Sequence, residues 1–309
     1  MMYKLLYIIK FSLAIIVLLC TSCEKEFFDD EEYVEKETST ASKQKGNVTV
    51  SILQLGQEPF QTEAKGRDIK LPNHLCFAIY DMGGARLKQA NQTPDKIDSG
   101  IVSPDFGTVS LQLPAGTYQL VVLAHSSTKN PTMTNPAKIQ FNNSIGYTDT
   151  YLYYNTLTVT DEPQTLDLSL KRIAALCRFV ISDPIPDGVF QIKFEYKGGS
   201  GHLSALTGFG VTNSTQMVTR QVQPGQQYQA FDLYTFLHQQ EGTIALTATA
   251  LNAAGEDLYE WDFEIPMAQN QITWLTGNFF AEESDPDQWR FAPNITFDKR
   301  WDNEVFYIY

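Results

Sequence analysis

Gln191-Ile192-Lys193-Phe194-Glu195-Tyr196 alternates apolar and polar side chains without a break, and Tyr259-Glu260-Trp261-Asp262-Phe263-Glu264-Ile265 does the same. Successive side chains of an extended chain point to opposite faces, so each stretch carries aliphatic and aromatic groups on one side and charge on the other. That is the pattern of a half-buried antiparallel strand. Outward from these two, strand-like runs occupy 48–53, 75–80, 108–113, 118–124, 156–160, 166–170, 174–181, 243–251 and 272–280. Turn formers separate them, among them Asp81-Met82-Gly83-Gly84, Pro114-Ala115-Gly116 and Asn252-Ala253-Ala254-Gly255-Glu256. No window of a dozen residues keeps a 3.6-residue period, so the expected class is all-β. Residues 126–155, rich in Asn, Thr and Pro, read as a long excursion, and Trp261 reads as core.

With 43% hydrophobic, 12% aromatic and 19% charged residues in 309, the chain can bury sizeable cores. At roughly 100 to 200 residues per domain, two domains are expected. The boundary falls near Lys171-Arg172, where one alternating strand ends and a fresh apolar one begins. The net charge of −13 disfavours nucleic acid and anionic membrane surfaces as partners.

The start of the chain has the parts of an export signal: Lys4 and Lys10, then an apolar run 11–20, then the small residues Thr21 and Ser22. The run is about half the roughly 20 residues a spanning helix needs. Cys20-Thr21-Ser22-Cys23 resembles the lipobox of bacterial lipoproteins, which marks Cys23 as the lipid acceptor. More than one acyl chain there would give stable anchoring. Residues 24–37 hold eight acids (Glu24, Glu26, Asp29, Asp30, Glu31, Glu32, Glu35 and Glu37) and two lysines, the composition of a solvated tether. An acidic cluster directly after the lipidated Cys also resembles the signal that sends lipoproteins of fimbriated gut and oral anaerobes to the outer face of the outer membrane. Beyond the signal and the lipidated Cys only Cys76 and Cys177 remain. An oxidising compartment permits one disulfide, but both sit in apolar runs where a free Cys behaves as a small hydrophobe, and two buried thiols are expected.

Catalytic signatures are not evident. His74, His125, His202 and His238 are scattered, without carboxylate or Cys partners at metal-ligand spacing, and no cofactor is expected. Gly198-Gly199-Ser200-Gly201-His202 lacks the Lys of a phosphate loop and the pattern of a nucleophile elbow, and reads as a turn. A pair of glycosidase carboxylates has no revealing spacing and nothing points to one. Exposed Trp or Tyr could stack on sugars, which keeps a surface glycan-binding lipoprotein as the alternative reading.

Several phrases together resemble the fimbrillin superfamily, the type V pilus subunits and their lipidated anchor proteins. They are the Cys23 lipobox, Asn47-Val48-Thr49-Val50-Ser51-Ile52-Leu53, Leu113-Pro114-Ala115-Gly116-Thr117-Tyr118-Gln119-Leu120-Val121-Val122, Leu170-Lys171-Arg172-Ile173-Ala174-Ala175, residues 203–208, and Asn270-Gln271-Ile272-Thr273-Trp274-Leu275-Thr276-Gly277. The resemblance implies two tandem transthyretin-like Greek-key β-sandwich domains, over 46–171 and 172–309, after a signal peptide (1–22) and a lipidated tether (23–45). It implies a non-enzymatic fimbrial anchor or accessory subunit, lipid-anchored in the outer membrane and exposed at the cell surface. Its partners would be other fimbrial subunits and an unidentified host or bacterial surface ligand. Assembly would proceed by strand exchange, with Val48, Val50 and Ile52 in a removable first strand and Arg67 as the candidate cleavage point. Val305, Phe306, Tyr307 and Ile308 would lie in a C-terminal strand that either completes the second sandwich or engages a neighbour.

Overall fold

A computed structural model of the chain describes residues 47–55, 58–59, 72–94, 96–97, 105–142, 146–280, 294–295 and 303–308. No helix occurs among them. The first half contributes β1 (Val48–Leu55), β2 (Glu58–Pro59), β3 (His74–Tyr80), β4 (Arg86–Thr93), β5 (Lys96–Ile97), β6 (Thr108–Leu111), β7 (Gly116–His125), β8 (Ile139–Gln140), β9 (Thr150–Val159) and β10 (Gln164–Arg172). The second half contributes β11 (Ala175–Ile181), β12 (Gln191–Ser204), β13 (Phe209–Gln221), β14 (Gln229–Thr235), β15 (Glu241–Leu251), β16 (Asp257–Ala268), β17 (Gln271–Gly277), β18 (Asn294–Ile295) and β19 (Asn303–Ile308).

The two halves repeat one seven-strand pattern. In the first, β9-β7-β3-β4 and β10-β1-β6 are joined by a short β9–β10 pairing at Lys171 and Arg172 into one sheet that folds over its core; in the second, β16-β15-β12-β13 and β17-β11-β14 belong to separate sheets that pack on a shared core. In both, the first strand lies between an antiparallel neighbour and the last strand, to which it runs parallel. This is the all-β fold of two tandem Greek-key sandwiches expected from the sequence. Each encloses its own core, one around Phe77, Leu120, Val122 and Leu168, the other around Phe179, Phe194, Leu246 and Leu275.

β3 and β7 are apolar on both faces for a reason. Leu75, Phe77 and Ile79 enter the first core, whereas Cys76, Ala78 and Tyr80 turn the other way into a third buried layer. That layer also holds Leu203, Ala205 and Phe236 of the second half, Ile173 and Ala174 of the connection, and Met133, Ile139, Phe141 and Tyr147 of the excursion. Strands covered on both sides read as continuous apolar runs. The excursion spans 126–149, since β9 begins at Thr150, and it sends β8 across to pair with His202 and Leu203 on β12. The described residues, from 47 to 308, belong to one compact unit.

The glycine-rich segment is not a turn. Gly198, Gly199, Ser200 and Gly201 lie inside β12, which bulges there. A Cβ on Gly199 would collide with Thr235 Oγ1, so the glycines let neighbouring chain approach closely. The buried Ser200 hydroxyl donates to the His202 carbonyl and accepts the N–H groups of His202, Val211 and Thr212. Cys76 and Cys177 are buried and form no disulfide, and burial raises the Cys177 thiol pKa, leaving it a packing residue. Trp261 packs against the second core and donates its indole N–H to the Phe279 carbonyl at 3.0 Å.

Candidate strand-exchange site

β1 is the strand on which the sequence reading placed its exchange residues. Val48, Val50, Ile52 and Leu55 are all buried in the first core, while Leu53, at a bulge between Ile52 and Gln54, is 51% exposed. On one side the strand runs antiparallel to β6, with Val48 opposite Leu111 and Val50 opposite Val109. On the other it runs parallel to β10, with Val50 beside Leu166 and Ile52 beside Leu168. β1 is thus the middle rung of its sheet, and its removal would open a groove floored by the first core.

Local contacts fix the register. The Asn47 amide donates to the Leu113 carbonyl at 2.7 Å and accepts the Leu113 N–H at 3.0 Å, closing the start of β1 over the end of β6. Thr49 and Ser51 hydroxyls meet Ser110 and Thr108 across the same pair. The wall formed by β6 is held by buried Gln92, which donates to Thr108 O and accepts Gly107 N–H. Asn47 and Gln92 had no sequence signal beyond their amide chemistry. Each is legible only once the strands they join are known to be neighbours.

β11 holds the equivalent place in the second sandwich, between β14 and β17. It cannot be withdrawn, because only Ile173 and Ala174 separate it from β10. Arg172 rivets this junction: it pairs with Asp149 through Nε at 2.9 and 3.1 Å, donates to Asn270 Oδ1 and the Tyr151 hydroxyl, and lies over the Tyr151 ring. β1 is joined to β3 through residues 56–73, which include the two-residue strand β2 paired back on the end of β1. Arg67 falls there, outside the described residues, as does Cys23.

Val305, Phe306, Tyr307 and Ile308 lie in β19. Its backbone runs parallel to β17, from Gln271 opposite Asn303 to Thr276 opposite Ile308, and antiparallel to β18 on its other side. The described chain therefore seats this strand on the second sandwich. β1 and β19 belong to different halves and do not pair with each other.

A groove of about 770 Å³ between the halves is lined by Tyr153, Lys171, Leu206, Gln240, Gln269 and Asn270. Its amides are already engaged, since Gln269 Nε2 donates to Ile173 O and Gly208 O, and Asn270 Oδ1 accepts from Arg172. Among the described residues no group of three or more His, Cys, Asp or Glu is placed to hold a metal ion.

Residues 39–308 match the family of unknown function DUF6562. Partial structural likeness extends to a candidate adhesin from Bacteroides ovatus ATCC 8483, 16% identical, with TM-score 0.45 over 70% of this chain and 82% of that one. Another is a candidate polysaccharide-binding protein from Bacteroides thetaiotaomicron VPI-5482, 13% identical, with TM-score 0.44 over 69% and 78%. A third is the fimbrial anchor protein Mfa2 from Porphyromonas gingivalis, 13% identical, with TM-score 0.38 over 70% and 81%. No curated protein matches the sequence.

Proposed function

The chain belongs to the family of unknown function DUF6562, and from that premise we propose that it is a surface lipoprotein of the outer membrane that serves as a fimbrial anchor or accessory subunit and joins its neighbours by strand exchange. The observation that carries the reading is the place of β1. It is a central, fully packed strand, yet it is the one first strand of the two sandwiches that a single cut could release. Main-chain ladders on both sides would give an incoming strand its affinity, and the alternating pockets now filled by Val48, Val50 and Ile52 would set its register. In this reading Cys23 carries the lipid and the acidic tether spaces the sandwiches from the membrane. An anchor keeps its lipid and stays uncut at Arg67; a processed subunit loses both.

The test is the mass of the N-terminus in membrane-extracted protein. An acylated Cys23 is expected for an anchor, and a chain beginning at Asp68 for a processed subunit. Cys23→Ala should abolish lipid labelling and release the protein from the membrane fraction. Labelling that persists in this variant and is lost only with Cys20→Ala defeats the assignment of the acceptor.

A further inference from the structure

β9 and β10 pair only through Leu152 with Lys171 and Tyr151 with Arg172; beyond that point β9 follows β7 and β10 follows β1. The groove of about 770 Å³ opens in this fork. Its size falls within the roughly 300 to 1,000 Å³ of small-molecule sites, and such sites collect at junctions between compact halves. Leu152, Ile173 and Ala205 form the buried part of its lining. The wall opposite the fork comes from the β12–β13 and β16–β17 turns and is braced. Gln269 donates through Nε2 to Gly208 O at 2.8 Å and through its main-chain N–H to Gln240 O at 2.9 Å, and the Asn270 N–H donates to Ala174 O. The concavity is built before any ligand arrives, so binding carries little ordering cost.

Charge sets this groove apart from the rest of the chain. The net charge is −13, yet the described residues of the lining include Lys171 and Arg172 and no Asp or Glu. Arg172 is spent, its side chain 9% exposed and paired with Asp149. Lys171 is exposed and enters none of the ion pairs among the described residues. The nearest acid on its own strand, Asp167, is four residues away, about 13 Å of extended chain. Neutral groups near it keep hydrogen-bonding capacity. The Thr207 hydroxyl accepts the Phe209 N–H and still has its own proton to donate, while Gln240 uses Nε2 on Gln269 O at 3.4 Å and keeps Oε1. Leu206, 47% exposed, adds an apolar surface. One free cation, neutral donors and acceptors and an apolar patch suit a ligand with a single negative charge, several hydroxyls and C–H faces. A phosphate dianion would ask for a second free cation, and Arg172 is not one. We propose that the groove binds the carboxylate-bearing sugar of an acidic glycan, a uronic or sialic acid residue, with Lys171 as the partner of the carboxylate. The inference does not depend on the fimbrial reading.

The experiment is calorimetric titration of the full-length protein in detergent with two matched pairs of probes, a galacturonic acid trimer against its methyl ester and sialyllactose against lactose. At least one acidic probe should bind, and which one does identifies the source of the carboxylate. Its neutral counterpart should bind roughly tenfold more weakly, and binding of the acid should weaken as salt rises. Lys171→Gln should bring the acid down to the level of its neutral counterpart with an unchanged thermal melt, since Lys171 is exposed. Lys88→Gln on β4 removes the same charge elsewhere and should leave binding as it is. A wild type that binds neither acid overturns the proposal, and so does equal binding of an acid and its neutral counterpart, or a Lys171→Gln variant that keeps the preference. A short peptide with a free C-terminal carboxylate serves as the ligand of another class, and tighter binding of that peptide than of either sugar overturns the proposal as well.

Discussion

His125, at the end of β7, lies directly opposite His74 on β3, and their rings stack with centroids 5.2 Å apart. The Ser127 N–H points at its Nδ1 at 3.2 Å, which leaves the neutral ring its proton on Nε2, facing Cys76 Sγ at 3.6 Å. Burial, and to a lesser extent His74, push its pKa down to about 4. A second proton would set N–H against N–H at Ser127, where the excursion leaves the sheet. The unfolded chain binds that proton at the ordinary value of about 6.5 while the folded chain refuses it, so this residue makes stability fall as pH drops from about 6.5 towards 4. The full difference is on the order of 3 kcal/mol. His125→Gln should flatten that part of the profile, read as the difference between the two proteins' urea midpoints from pH 7 to 4. Parallel profiles for the two proteins would show that the ring titrates normally.

At the scale of elements, β1 makes the sharpest claim. Four buried apolar side chains at roughly 1.5 to 3 kcal/mol each come to about the whole stability of a typical domain, so a chain starting at Asp68 should be unfolded, aggregated or dependent on an added β1 peptide. A monomer of wild-type melting temperature without that peptide would end the groove idea. β19 can be separated in the same way. Trimming residues 306–309 should lower the melting temperature if the strand only completes its own sheet, and, under the proposed role, should abolish capture of a neighbouring subunit with little thermal effect if it is donated. Strands such as β1, β7 and β15 were legible because their apolar residues recur on one face or fill both. β13 was not, because Thr, Asn, Ser and Gln alternate there without contrast, and its place follows from pairing with β12. β4 was hidden for the same reason, its outer residues being Arg, Lys and Gln at an edge. The glycines of β12 mimicked a turn because sequence alone does not distinguish freedom to bend from the need for close approach.

For the whole molecule, the buried layer between the sandwiches decides how the chain unfolds. Phe236 of the second half packs on Phe141 and Tyr147 of the excursion, with centroids 4.6 and 5.0 Å away, and the same layer covers the backs of β3 and β7. Neither half would be a finished body alone, since separation would expose Cys76, Tyr80, Val121 and Leu123 on one side and Leu203 and Phe236 on the other. Ile173 and Ala174 are themselves buried in the seam, so the connection cannot act as a loose linker. Two ordinary domains joined by a tether would melt independently; halves that share a core should melt together. Calorimetry of the full chain is therefore expected to show one transition, and Phe236→Ala, at a cost of about 3 to 5 kcal/mol, should move the whole of it to lower temperature. A variant whose trace splits, with one half keeping the wild-type midpoint, would mean that the layer is contact without coupling, and that each sandwich folds for itself.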